Sequence, residues 1–212
     1  MIRFACPKGR TRETAIGALA AAGLDISPLH RDGRSLTTRL TNPSGDVEVL
    51  ALKDWDLPLY VERGVADCGV VGSDVLGEVD GDLLVPVRLV GSRCRFSLIG
   101  RAEAAHEPRP GAQVRLATKY PKTARRLLAS RSWSVEILPL SGSVELAPVL
   151  DLADLALDIV ETGGTIAANG LVEIEVLEAV EPCFVVQRAA YQRHRTILND
   201  WFARMEAAGV ST

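Results

Sequence analysis

A chain of 212 residues with 47% hydrophobic content can fill the core of one large domain or two small ones. Charged residues make up 24% and the formal net charge is −3, so no general nucleic-acid or membrane-surface field is implied. Aromatics, at 5%, are too few for a platform that stacks single-stranded bases.

Short apolar runs alternate with helical patterns along the chain. "IRFAC" predicts a strand and "TRETAIGALAAAG" a helix closed by Gly23. "DVEVLAL" predicts a second strand and "LPLYVERG" a short helix ending at Gly64. "CGVVG" reads as a buried strand, followed by "SDVLGE" with Ser73 or Asp74 placed to cap a helix. "DLLVPVRLV" and "CRFSLIG" are strands on either side of Gly91. "AQVRLAT", "KTARRLLAS" and "SVEILPL" form a strand–helix–strand unit. "SVELAPVL" predicts a helix, "LALDIV" a strand, and Ile166 to Asn169 the opening of another helix. "PCFVVQ" is a last strand, and "YQRHRTILNDWFARMEAAG" a helix with Ile197, Leu198, Trp201, Phe202 and Met205 on one stripe. The alternation predicts α/β architecture with mainly parallel sheets.

The chain shows no internal repeat or low-complexity segment, and its one seam lies around Gly91. Two lobes follow, 1–90 plus 180–212 and 91–179, with the active site expected in a cleft between them. Cys6, Cys68, Cys94 and Cys183 form no CxxC pair and read as reduced, mostly buried thiols. "MIRFACPKGR" breaks at Pro7 before a signal-peptide core could form, and no apolar run is long enough to span a bilayer. A soluble cytoplasmic protein is expected.

The candidate site residues cluster at predicted strand ends. In "LALDIVETGGTIAANG", Asp158 and Glu161 precede Thr162, Gly163, Gly164 and Thr165. Amide groups at a glycine turn before a helix make a concave anion site, and the two carboxylates could accept hydrogen bonds from ribose hydroxyls. A plain strand-to-helix turn explains the same loop. Lys8, Gly9 and Arg10 in "CPKGR" stand where open α/β sheets bind ligands, or form a solvated basic turn. Arg34 in "DGRSL" and Lys53 in "LALKDWD" carry the same ambiguity. "ADCGVVGSD" sets Gly69 and Gly72 around a strand with Asp74 just beyond, which suits close ligand approach or tight packing equally. Tyr120 in "ATKYP" stands at a strand end beside Lys119, where it could stack on a base or be half-buried. "LSGSVELAP" offers an anion-friendly helix start with Glu145 in the first turn, more often a helix-dipole partner than a catalyst. His30, His106 and His194 read as surface residues.

In order, "PKGR", "DLPLYVERGVADCGVVGSDVL", "ATKYP" and "LSGSVELAPVLDLADLALDIVETGGTIAANGL" resemble the ATP phosphoribosyltransferases that begin histidine biosynthesis. The match spans nearly the whole chain, and the block from Leu140 is its specific part. The resemblance implies transfer of a phosphoribosyl group from phosphoribosyl pyrophosphate (PRPP) to N1 of ATP, with Mg²⁺ carried mainly by the substrate phosphates. It also implies a two-lobed fold like that of periplasmic solute-binding proteins. The first lobe would take ATP and pyrophosphate, and the second would carry the PRPP loop, Glu161 to Thr165, with Asp158 just before it. Lys8, Arg10, Arg34 and Lys53 would surround pyrophosphate and triphosphate, with Arg34 and Lys53 in the catalytic role, and Tyr120 would approach adenine. Two departures stand out. Lysine stands at 53 where arginine is usual in the family, and the chain stops after its last helix, where longer members continue into a histidine-sensing domain. That is the pattern of the short form, which implies a homodimer working with a regulatory subunit that resembles histidyl-tRNA synthetase. The rival expectation is a non-catalytic small-anion-binding or sensor module on a solute-binding fold.

Overall fold

The computed structural model describes residues 1–30, 35–41, 45–91, 94–104 and 108–211. It divides into two compact units: unit 1, Met1–Ser92 with Glu181–Thr212, and unit 2, Arg93–Val180.

Unit 1 is built on a six-stranded sheet of order β2-β3-β1-β4-β11-β5. Its strands are β1 (Ile2–Pro7), β2 (Thr37–Leu40), β3 (Val47–Leu52), β4 (Cys68–Gly72), β5 (Leu84–Arg88) and β11 (Pro182–Val186). At the centre β1 runs parallel to both β3 and β4, and the outer pairings are antiparallel. Both faces of the central strands are covered, so they read as unbroken apolar runs. Ile2, Phe4 and Cys6 of β1, with Phe184 and Val186 of β11, join a core shared with α1 (Arg12–Ala21) and α7 (Arg188–Ala207). Ala5, Val71, Cys183 and Val185 point the other way, toward α2 (Leu57–Glu62) and α3 (Ser73–Glu78). The expected stripe on α7 is the buried one: Leu198, Trp201 and Met205 are in the core and Ile197 and Phe202 pack against it. Full burial of such a side chain contributes about 1.5–3 kcal/mol.

Gly69 answers its sequence-level ambiguity. A Cβ there would stand 2.6 Å from the Ala5 carbonyl oxygen, so glycine serves close packing of β4 on β1. The cap of α3 differs from expectation. Gly72 holds the cap position, and Ser73 is the first helical residue. The Ser73 hydroxyl instead accepts the Glu181 N–H at 3.1 Å, while its own N–H donates to the Glu181 carbonyl at 2.8 Å.

Unit 2 carries a five-stranded sheet of order β10-β6-β9-β7-β8. The strands are β6 (Cys94–Arg101), β7 (Gln113–Thr118), β8 (Ser134–Pro139), β9 (Leu155–Val160) and β10 (Leu171–Val180). Strand β7 is parallel to β8 and β9, whereas β6 pairs antiparallel with β9 and β10. The helices are α4 (Pro121–Leu128), the single turn α5 (Leu146–Val149) and α6 (Gly164–Ala168). Both sheets thus contain the parallel strands that the strand–helix alternation predicts: at the centre in unit 1, and on the β9-β7-β8 side in unit 2, where β6 and β10 extend the sheet antiparallel.

Candidate active site

The parallel strands of each unit bring the predicted residues to one sheet edge. In unit 1, Pro7 pairs with Leu52, so β1 and β3 end side by side. Lys8 and Lys53 are the next residues on each strand, and both are exposed. The turn is tied together by the backbone. The Lys8 N–H donates to the Leu52 carbonyl at 2.9 Å, and the Gly9 N–H donates to Asp54 Oδ1 at 3.1 Å. Lys53 contributes its carbonyl to the start of α2, accepting from Asp56 and Leu57 at 3.0 and 3.1 Å. Its side chain is therefore mounted on a structured turn. Arg10 Nη2 lies 3.4 Å from Oδ2 of Asp74, which is buried at the start of α3. Asp74 thereby anchors a cation at the end of β1, an indirect place for a residue expected to contact ligand. Arg34 lies outside the described residues.

A pocket of about 590 Å³ opens beside Lys8 within unit 1, lined also by Cys6, Arg12, His30 and Thr38. Cys6 is not a nucleophile there, because burial pushes its thiol up to about 11. His30 is exposed, as expected, whereas His106 lies outside the described residues. His194 corrects the surface reading. It is half-buried, with Nε2 3.8 Å from Asp67 Oδ1, at a kink in α7.

In unit 2 the end of β9 leads into the glycine loop. Gly163 adopts φ +77° and caps α6, so the chain reverses there through a conformation that glycine adopts without strain. Glu161, Thr162, Gly164 and Thr165 are exposed. Thr162 Oγ1 lies 3.5 Å from the Gly164 nitrogen. The first amides of a helix have no intrahelical acceptor, so an exposed turn of this kind leaves N–H groups for water or a ligand. Asp158 is half-buried, and its Oδ1 accepts the Ile159 N–H at 2.8 Å. Glu145 is the half-buried residue before the single turn α5.

Tyr120 is not a base platform in this structure. Its side chain is 5% exposed, and its ring meets Phe96 edge-to-face at 5.0 Å. Following β7, whose last residues are fully buried, the chain carries the ring into the sheet's core before α4 begins.

Residues 53–207 match the family model described as ATP phosphoribosyltransferase. The chain belongs to that family. An ATP phosphoribosyltransferase from Burkholderia lata is 41% identical over 98% of this chain and 96% of its own length. One from Thermus thermophilus is 41% identical over 96% of this chain and 95% of its own. The solved ATP phosphoribosyl transferase (HisG:HisZ) complex from Thermotoga maritima contains a chain with the same fold. That chain has a TM-score of 0.77 and 30% identity, with 98% of this chain and 97% of that one covered. The α/β fold class expected from the strand–helix alternation therefore holds, and the protein is a transferase.

Two residues beside these candidate groups had no signal in the sequence. Arg12 reaches the wall of the unit 1 pocket, where its Nη2 donates to the Leu29 carbonyl at 3.1 Å. Arg95 Nη1 donates to the Glu161 carbonyl at 3.2 Å, at the start of the glycine loop. Their partners are 17 and 66 positions away, so local pattern could not reveal them.

Proposed function

We propose that this chain transfers the phosphoribosyl group of PRPP to N1 of ATP, giving phosphoribosyl-ATP and pyrophosphate in the first step of histidine biosynthesis. Family membership over residues 53–207, which include the glycine loop, carries the reading. The N1 lone pair of adenine forms the new bond to C1 of the ribose as the bond from C1 to the pyrophosphate oxygen breaks. Positive charge develops on the ribose and negative charge on the leaving group, so the protein must stabilise both.

In this reading Thr162 to Thr165 hold a PRPP phosphate through amide and hydroxyl donors, while Asp158 and Glu161 accept from the ribose hydroxyls. Lys8, Arg10 and Lys53 supply cations to the pyrophosphate and triphosphate oxygens, and Arg34 joins them. Unit 1 is the ATP and pyrophosphate side, with its pocket beside Lys8 as the place for the nucleotide. Tyr120 contributes by packing, not by stacking on adenine.

Magnesium fits this donor set. Exposed carboxylate oxygen is a hard ligand, and Mg²⁺ keeps waters and takes substrate phosphates in place of a full protein cage. Among the described residues no group of three or more His, Cys, Asp or Glu is gathered to hold a metal. When bound with the phosphates, the ion would neutralise charge on the departing pyrophosphate.

The likeness to the HisG:HisZ complex supports association with a regulatory subunit. The family resemblance adds that this subunit is similar to histidyl-tRNA synthetase and works around a homodimer of this chain. A cytoplasmic location suits a biosynthetic enzyme, and no described helix is long and apolar enough to cross a membrane. The direct test mixes the chain with ATP, PRPP and Mg²⁺, alone and with such a subunit, and follows phosphoribosyl-ATP absorbance. Product formation is expected. PRPP binding without product in both mixtures would instead establish a non-catalytic anion-binding module.

A further inference from the structure

Arg95 stands near the start of β6, directly across from Val160 at the end of β9. Its guanidinium is divided between two acceptors. Nε and Nη2 fork onto the Glu173 carboxylate at 2.7 and 2.6 Å, and Nη1 donates to the Glu161 carbonyl at 3.2 Å. The Ser97 hydroxyl donates to the same Glu173 carboxylate. A planar fork engaged on both sides cannot rotate without losing several hydrogen bonds together. The pair is partly shielded, with side-chain exposures of 31% for Arg95 and 24% for Glu173. Strands β6 and β10 thus supply a brace that reaches Glu161, the first residue after β9.

The peptide that the brace grips joins Glu161 to Thr162. In a trans peptide the C=O and the following N–H point in opposite directions within one plane. Holding the Glu161 oxygen on Arg95 therefore aims the Thr162 N–H away from Arg95. Gly163, next in the chain, is the flexible position at which an unbraced loop would swing.

We propose that Arg95, held by Glu173, is a positioning residue for PRPP: it orients the Glu161–Thr162 peptide so that the loop amides meet a phosphate, and it does not itself touch the substrate. The assignment rests on reading Glu161 to Thr165 as the PRPP loop. Lysine at 95 would keep the charge but could not fork onto Glu173 and reach Glu161 together. Glutamine at 173 would weaken the grip on Arg95 while leaving its contact with Glu161 possible.

Wild type, Arg95→Lys, Glu173→Gln and the double variant are compared by hydrogen exchange of the 161–170 segment without substrate. Initial rates are then measured with PRPP and ATP varied separately. Arg95→Lys is expected to speed exchange in the loop and to raise KM for PRPP about tenfold, the scale of one charge-assisted hydrogen bond. The KM for ATP should stay within about twofold, since the loop contacts only PRPP. Glu173→Gln, the milder change, should move both readouts the same way by less. The double variant should be no worse than Arg95→Lys alone, because both changes break one brace. An unchanged PRPP KM in Arg95→Lys overturns the proposal even if exchange accelerates. So does an equal rise in both KM values, or additive effects in the double variant. A wild-type chain that makes no phosphoribosyl-ATP overturns the parent reading instead, and the exchange data then judge the brace separately.

Discussion

Lys53 is where residue chemistry and fold position meet. Strand ends and charged side chains are legible in sequence, which is why Lys8, Arg10 and Lys53 could be singled out there. Burial is much less so: the aromatic ring of Tyr120 is equally suited to a base or a core, and contact with Phe96 puts it in the core. At 53 the structure supplies an exposed ammonium beside Lys8, on a turn fixed by backbone hydrogen bonds. A group so placed can meet charge as it builds on departing pyrophosphate. Loss of one such electrostatic donor costs on the order of 10²-fold in turnover. Lys53→Ala should show that loss in single-turnover formation of phosphoribosyl-ATP at saturating substrates, a measurement that separates chemistry from product release. Lys53→Arg should keep most of the rate, because arginine, the usual residue in the family, restores charge with a bidentate fork. An alanine variant with the wild-type chemical rate would leave Lys53 a solvated charge.

At the scale of elements, the loop between β9 and α6 depends on one backbone conformation. The strand "LALDIV" and the turn after it were readable because the apolar run ends at a carboxylate and two glycines. Two strands were not. Strand β2 is only four residues, "TTRL", mixing polar and apolar side chains at a sheet edge. Strand β10 places Glu173, Glu175 and Glu178 among its apolar residues, and the arginines that pair with them, Arg95, Arg131 and Arg126, lie 44 to 78 positions away. A predicted helix over "SVELAPVL" shrinks to one turn, and Asp151, just beyond it, takes φ +57°. For the loop itself, a side chain at Gly163 would meet little, its nearest neighbour being a Val160 methyl at 4.0 Å. The cost of Gly163→Val is therefore the positive φ, roughly 1–2 kcal/mol or more for a β-branched residue. If the loop relieves that strain by abandoning its shape, PRPP affinity should fall about 5- to 30-fold, while the open space around a Cβ at this half-buried position leaves the fold intact. Gly163→Asn, which tolerates positive φ, should lose less. Calorimetry decides: unchanged PRPP binding in a folded valine variant means that this turn is not the cradle.

For the whole molecule, unit 2 is a continuous insertion within unit 1 whose surface is laced by arginine–carboxylate pairs. Arg115 joins Asp154 by Nη2 at 2.8 Å, and its backbone N–H donates to the same carboxylate at 2.8 Å. Those hydrogen bonds hold the Asp154 carboxyl below its ordinary 3.8, and hydrogen bonding from Arg95 holds Glu173 below 4.5. A carboxyl whose pKa is lower folded than unfolded stabilises the fold above the unfolded value. That contribution fades as pH falls toward and through the folded value. Stability of the chain should therefore decline on acidification from about pH 4.5, with Asp154 contributing below about pH 3.8. The Arg115–Asp154 pair is 44% and 46% exposed, so its share is small and weakened by salt. Asp154→Asn isolates it, since asparagine can still accept from the Arg115 N–H but does not ionise. Urea midpoints followed by far-ultraviolet circular dichroism should show the variant below wild type at neutral pH. That gap should close as pH drops below the lowered Asp154 value, where wild type has lost the same charge. A gap equally wide in acid and at neutrality would mean that asparagine costs packing or hydrogen bonding, and that the ion pair does not set the acid limb.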